Sequence, residues 1–169
     1  MPYDPRVHHR RSIRLSAFDY RCAGAYFVTI CTYGRECILG DIRDGVCSLT
    51  DTGQMVLDVW LGIPQYHQGV AIDASVVMPN HIHGIVWLSA PEGDGAHTGL
   101  PLSLPEVVQR FKSLTTARYR AATGMARLWQ RNYYERVIRN ERELDGIRQY
   151  IIMNPDRWAE DADNPHHAL

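Results

Sequence analysis

Two histidines one residue apart, His81 and His83, interrupt an otherwise apolar run, "VVMPNHIHGIVWL". An unpartnered polar ring buried in such a run costs roughly 1 to 3 kcal/mol, so each imidazole needs a hydrogen-bond partner or a ligand. In an extended strand, side chains alternate between faces. Residues 81 and 83 then share a face about 6.6 Å apart, at ~3.3 Å per residue, and Ile82 turns to the other. Two imidazoles so placed can converge on one cation, and divalent ions with mixed nitrogen and oxygen coordination suit them. A pair of surface or core-edge histidines on a half-exposed strand is the alternative reading.

A second set lies near the C-terminus, in "YIIMNP". Tyr150 and Asn154 are four residues apart, which on a helix places them on one face with Cβ atoms about 5 to 6 Å apart. An asparagine carbonyl oxygen is a hard-metal ligand. A phenol beside a metal becomes a nucleophile when the ion polarises its target and eases loss of a proton that otherwise leaves near pKa ~10. Structural alternatives exist for both: Ile147, Tyr150, Ile151 and Asn154 form an amphipathic stripe, and Asn154 before Pro155 can simply stop a helix.

These residues need elements to carry them. "AYFVTICTY" between Gly24 and Gly34 has the β-branched and aromatic content of a strand, and a short strand is expected at Val46 to Leu49. A helix follows from about Asp51 to Leu61, with Thr50 as its cap and Gly62 and Pro64 marking its end. Gly69 to Met78 and "HIHGIVWL" read as two strands joined at a Pro79-Asn80 turn. Ser89 to Pro101 is a glycine- and proline-rich loop. Ser103, Pro105 and Glu106 open a second helix that stops at Gly124, Leu128 to Asn140 holds a loop and a short strand, and a third helix starts at the acids near Glu141 and ends before Pro155. This order is not the alternation of a parallel doubly wound sheet. It predicts an α+β sandwich with a largely antiparallel sheet and helices mainly on one face.

The 169 residues fit one domain, expected over 23–158, between a basic N-terminal arm (1–22, with Arg6, Arg10, Arg11 and Arg14) and an acidic tail (159–169). The net charge of -1 conceals a basic half-domain: nine basic residues against two acidic ones from Arg110 to Arg142. Arg110, Lys112, Arg118, Arg120, Arg131, Arg136 and Arg139 could track phosphates, and Trp129, Tyr133 and Tyr134 among them could stack on unpaired bases or instead pack the sheet against a helix. The four cysteines form no C-x-x-C pair and read as reduced thiols, with Cys31 a small strand residue. No apolar stretch approaches the roughly 20 residues of a membrane helix and no secretion signal is recognisable, so a cytoplasmic protein is expected.

Taken together, "RRSIRLSAFDY", "AYFVTICTYGRECILG", "VVMPNHIHGIVWL", "FKSLTTARYR" and "LWQRNYYERVIRNERELDGIRQYIIMNPDRW" resemble the single-tyrosine HUH nucleases, in particular the REP-associated tyrosine transposases. His81-Ile82-His83 matches the family's histidine, hydrophobic, histidine motif, and "YIIMNP" matches its tyrosine helix. The resemblance implies a ferredoxin-like sandwich in which His81, His83 and Asn154 ligate magnesium or manganese and Tyr150 is the nucleophile. It further implies cleavage of single-stranded DNA near hairpins through a 5′-phosphotyrosyl enzyme, by a monomer or a homodimer. Tyr133 and Tyr134 are rival nucleophiles, each lacking an asparagine four residues on that precedes a helix-ending proline. A hairpin-binding protein of the same fold that no longer cuts is the alternative function, with an RNA nuclease or relaxase-like initiator behind it.

Overall fold

The computed structural model of the chain describes residues 23–89, 102–161 and 163–165. The expected N-terminal arm, Cys22, the loop beyond Ser89 and residues 166–169 lie outside the described residues. Among the described residues six strands and three α-helices follow in order: β1 (Gly24–Cys31), β2 (Gly40–Arg43), β3 (Val46–Leu49), α1 (Asp51–Tyr66), β4 (Val70–Met78), β5 (His81–Leu88), α2 (Leu104–Thr123), β6 (Tyr134–Ile138) and α3 (Glu141–Met153).

Four strands form an antiparallel sheet in the order β4-β5-β1-β6. Because β1 and β4 both run antiparallel to β5, they are parallel to each other with β5 between them, and α1 makes the crossover. By the same reasoning β5 and β6 are parallel around β1, with α2 crossing over. Two interleaved split β-α-β units make the α+β sandwich expected from the order of elements, in the ferredoxin-like form that the resemblance implies.

The sheet separates two apolar layers. Tyr26, Val28, Ile30, Ile82 and Val86 face α1 and α2, where they meet Val56, Trp60, Val107 and Phe111. Phe27 and Ile85 face the other way and pack with Ile138, Leu144 and Ile151, so of the three described α-helices α3 covers that face. "Mainly on one face" therefore holds for two helices of three. The third is the one that carries Tyr150.

Two local expectations needed correction. Helix α1 continues through Pro64 to Tyr66 rather than stopping at Leu61. A proline forfeits one backbone bond, and here it does so in the last turn, where Val56, Val59, Trp60 and Ile63 already fix the helix by burial. Strand β2 was not anticipated. It pairs with β3 as a separate hairpin whose two-residue turn, Asp44-Gly45, has positive φ at both positions, 51° and 73°. That is the Asp-Gly turn that favours tight hairpins.

Gly84, one residue beyond His83, turns to the α1 side, where a Cβ would collide with Cζ2 of the Trp60 ring. Trp60 is fully buried and edge-on to Phe111, with ring centroids 5.1 Å apart, so it has little room to give. Gly84→Ala should cost about 1 to 3 kcal/mol by overpacking. Thermal unfolding checks this: a melting temperature equal to that of the parent chain would show that the ring is free to move.

Candidate active site

Strand β5 is buried on both faces, and its alternation sends His81 and His83 toward α3 while Ile82 enters the main core. The two rings converge beyond what strand spacing requires: His81 Nε2 lies 3.0 Å from His83 Nε2. Each outer nitrogen is held from behind. His83 Nδ1 is 2.8 Å from the Thr29 hydroxyl on the paired strand β1, and His81 Nδ1 is 2.8 Å from Asn80 Oδ1.

Asn80 decides the tautomer of His81. Its amide nitrogen donates to two carbonyls, Arg35 O at 3.1 Å and Asp163 O at 2.6 Å, which fixes the orientation of the amide. Oδ1 then faces His81 Nδ1 and can only accept, so the proton sits on Nδ1 and Nε2 presents a lone pair. For His83 the tautomer follows the occupant of the site. A proton on its Nε2 bridges the two rings; a cation between them leaves that proton on Nδ1, with Thr29 accepting. Burial lowers the pKa of both histidines, for His83 well below the ordinary value and reinforced by His81, so both rings are neutral donors at pH 7.

Helix α3 supplies the rest. Its Asn140 cap accepts from Glu143 N at 2.9 Å, and Leu144 and Ile151 are buried against the sheet. Tyr150 Oη reaches 3.4 Å from His83 Nε2. Its ring centroid lies 6.0 Å from that of Phe27, edge-on, while 43% of the residue remains exposed. Asn154 is buried, its amide is close enough to polarise both His81 and Tyr150, and its Oδ1 makes no hydrogen bond.

After α3 the chain makes a 3-10 turn, Pro155–Glu160, and returns to the histidines. Ligand atoms of His81, His83 and Asp161 lie within 4.8 Å of one another, a cluster that could hold a metal ion. Asp163 pairs with Arg35 at 2.5 Å. Burial raises the pKa of Tyr150, and the charges of Asp161 and Asp163 raise it further, so without a cation the phenol stays protonated. Facing lone pairs, an orphaned amide oxygen and a carboxylate together fit a divalent ion with nitrogen and oxygen ligands.

His81 with His83 and Tyr150 with Asn154, each pair placed on one face by its spacing and the two joined in one site only by the resemblance, lie in one place. The arginines spread over a wider surface. Arg110 contacts His67 Nδ1 at 3.3 Å, Arg118 lies two helical turns further on the same side, and both line a cleft of about 390 Å³ between α1 and α2. Arg120, Arg131 and Lys112 line another, of about 630 Å³, with Tyr133. Lys112 is engaged: its ammonium donates to Gln130 O at 2.5 Å and Arg131 O at 2.9 Å, and partial burial lowers its pKa to about 8. Arg136 pairs with Glu143 at 2.8 Å, and Arg139 is exposed before α3. Trp129 is a core residue, its indole donating to Thr115 at 2.8 Å, whereas Tyr134 is 54% exposed on the α3 side. Burial raises the pKa of the Cys31 thiol to about 11, as befits an unreactive strand residue.

Sequence reasoning missed Asn80, Thr29 and Asp161. Asn80 was read only as a turn residue, and Asp161 only as charge. The adjacency of Asn80 to His81 was a usable signal; the return of Asp161 had none.

No protein-family model matches the chain. An uncharacterized protein of Haemophilus influenzae is 39% identical over 173 residues, spanning 94% of this chain and 95% of that protein. A REP-associated tyrosine transposase of Escherichia coli is 30% identical over 84 residues, 50% of this chain and 43% of that one. Among solved structures, a REP-associated tyrosine transposase bound to a REP hairpin superposes with a TM-score of 0.51 at 26% identity, covering 80% of this chain and 68% of that one. In sequence over half its length and in fold over four fifths of it, the chain is similar to REP-associated tyrosine transposases.

Two outcomes follow. Asn80→Ala should weaken binding of manganese by about 10- to 100-fold, as loss of a ligand-orienting partner does; unchanged affinity by titration calorimetry would show that Asn80 does not orient His81. Because the folded protein holds both histidines below their unfolded pKa of ~6.5, the unfolded chain binds more protons there and metal-free stability should fall as the pH drops below ~6.5. Above that value the histidine contribution is constant. Urea unfolding at pH 5 and 7 tests this, and a His81→Gln, His83→Gln variant should lose less stability between them.

Proposed function

We propose that the protein is a metal-dependent endonuclease and strand transferase for single-stranded DNA, a transposase that cuts beside a DNA hairpin through a 5′-phosphotyrosyl intermediate. The observation that carries this reading is the approach of Tyr150 Oη to 3.4 Å from His83 Nε2, itself 3.0 Å from His81 Nε2. A structural tyrosine on an amphipathic helix has no reason to meet the one buried pair of imidazoles among the described residues.

In this reading His81, His83 and Asn154 are ligands, with Asp161 a fourth candidate, and the ion is magnesium or manganese. When bound, the ion supplies positive charge that polarises the scissile phosphate and offsets the carboxylates that keep Tyr150 protonated. Tyr150 Oη attacks phosphorus, an O–P bond forms, and the bond from phosphorus to the 3′ oxygen breaks. The phenol gives up one proton and the departing 3′ oxygen gains one. Because one phosphodiester replaces another, a later 3′-OH can reverse the step or join a different strand. His81, His83, Tyr150, Asn154 and Asp161 meet within one chain, and the acting species is a monomer or a homodimer.

The partner is hairpin or single-stranded DNA, bound in the cytoplasm. The relative solved with a REP hairpin supports this, as do exposed Arg110, Arg118, Arg120, Arg131 and Arg139. Arg136 and Lys112, already engaged within the protein, contribute mainly through their field. Contacts of this kind give affinity and salt dependence rather than sequence choice.

Labelled palindromes from around the gene, incubated with the protein and either metal, test the reading by covalent attachment. Tyr150→Phe should form no adduct and still bind the hairpin; an adduct that persists takes the role away from Tyr150. His83→Ala should lower metal-dependent cleavage by about 10- to 100-fold or more. Hairpin binding by the parent chain with no cleavage in either metal would instead favour a protein that keeps the fold without cutting.

A further inference from the structure

Helix α3 is held on the sheet by a small apolar footprint, with only Leu144 and Ile151 fully buried. Two arginine–carboxylate pairs complete its attachment, one to each edge strand. At its start Glu143 meets Arg136 of β6 at 2.8 Å. In its second half Arg148 closes on Asp73 of β4, Nε at 3.1 Å and Nη2 at 2.6 Å, and its Nη1 also reaches Asp145 at 3.2 Å.

Asp73 is built for this contact. It lies where the register of β4 against β5 shifts, between Ile72 and Ser75, and a bulge of that kind re-aims a side chain. Its carboxylate also accepts the Trp87 indole N–H at 3.1 Å and the Ala74 amide at 2.7 Å. The Arg148 hydrogen bonds first, then those from Trp87 and Ala74, hold its pKa near 2 against partial burial. Trp87 stands on the same face of β5 as His81 and His83, so the strand that bears the imidazoles also braces the anchor of the tyrosine helix.

We propose that Asp73 and Arg148 are positioning residues: their two-pronged ion pair sets the axial register of α3 and so holds Tyr150 Oη at His83. The inference rests on the reading of Tyr150 as nucleophile. Apolar contacts are non-directional and tolerate a slide of the helix, whereas a guanidinium gripping a carboxylate by two nitrogens does not. Arg148 is two residues from Tyr150, about 3 Å along the axis, so the phenol inherits its register. A misplacement near 1 Å can slow a positioned reaction by about 100-fold.

Asp73→Asn, Arg148→Gln and the milder Arg148→Lys test the pair, with the double variant of the first two. Single-turnover adduct formation should slow by about 10- to 100-fold in the first two variants. Hairpin and manganese affinity should stay at the parent level, and the double variant should be no slower than the slower single one. A pair that merely stabilises the fold would lower the melting temperature and leave the adduct rate well below that temperature untouched, which would overturn the proposal. If Asp73→Asn does not fold, Arg148→Lys carries the same comparison. A 3-fluorotyrosine at position 150 reads the phenol's surroundings without cleavage. Its fluorine resonance should respond to His83→Ala in the parent chain and lose that response in the Asp73→Asn and Arg148→Gln variants, and a response retained in full sinks the idea. Absence of any adduct from the parent chain would remove Tyr150 as nucleophile, while the fluorine comparison would still decide whether the pair places it.

Discussion

A strand covered on both faces must satisfy two environments residue by residue, and β5 does so under the constraint that neighbouring side chains cannot share a face. Ile82, Val86 and Leu88 complete the core under α1 and α2, leaving His81, His83 and Ile85 for the layer under α3. Moving the strand by one residue would bury both imidazoles among Trp60 and Phe111 and expose Ile82 to the polar site, so the register of β5 is held by its hydrophobic pattern. The turn that precedes it adds a polar lock. Asn80, wholly buried, accepts at its backbone oxygen from Thr32 N at 2.8 Å, while its amide bridges Arg35, Asp163 and His81. One residue thereby ties the strand, the loop after β1 and the returning C-terminal segment to a single arrangement.

Much of this was legible in residue order because it depends on short-range rules. A two-residue period places His81 beside His83, a four-residue spacing places Tyr150 beside Asn154, and Ser103 with Glu106 announces the start of α2, where both halves of the capping box form. Those rules say nothing of which helix crosses which face. That α3 lies opposite α1 and α2, over the imidazoles, comes from Leu144 and Ile151 packing on Phe27 and Ile85 of the assembled sheet, a property of the whole fold. Asp161 was illegible for the same reason, since its eighty-residue separation from His81 is closed only after α3 has docked. Lys112 shows the converse error of counting. A lysine in a basic stretch reads as a phosphate contact, yet its ammonium caps two carbonyls of the loop leading to β6.

The electrostatics of the site are unbalanced in a way that has meaning. Two neutral imidazoles, an orphaned amide oxygen, the Asp161 carboxylate and a phenol whose pKa is raised leave negative potential which, among the described residues, Arg35 beside Asp163 opposes. Burying such a set costs free energy that apolar residues of the same shape would not. The fold tolerates the cost because the surrounding layer is firm: Phe27 packs on both His83 and Tyr150, with ring centroids 5.3 and 6.0 Å away.

The same arrangement explains why the tyrosine can be half-exposed and yet well placed. In the proposed role Tyr150 must meet a DNA phosphate and cannot be buried, so packing alone cannot hold it, and 43% of it faces solvent. Its position has to come from the backbone that carries it. Helix α3 is gripped at both edges of the sheet, by Arg136 on β6 and Asp73 on β4, leaving its last turn free of the sheet's apolar layer except at Ile151. In the proposed arrangement precision comes from charged contacts about half a turn and two turns upstream, at Arg148 and Glu143, and access from the open turn beyond them. A helix seated by a longer apolar stripe could have been as stable, but its stripe would have run through position 150 and covered the hydroxyl that the imidazoles face.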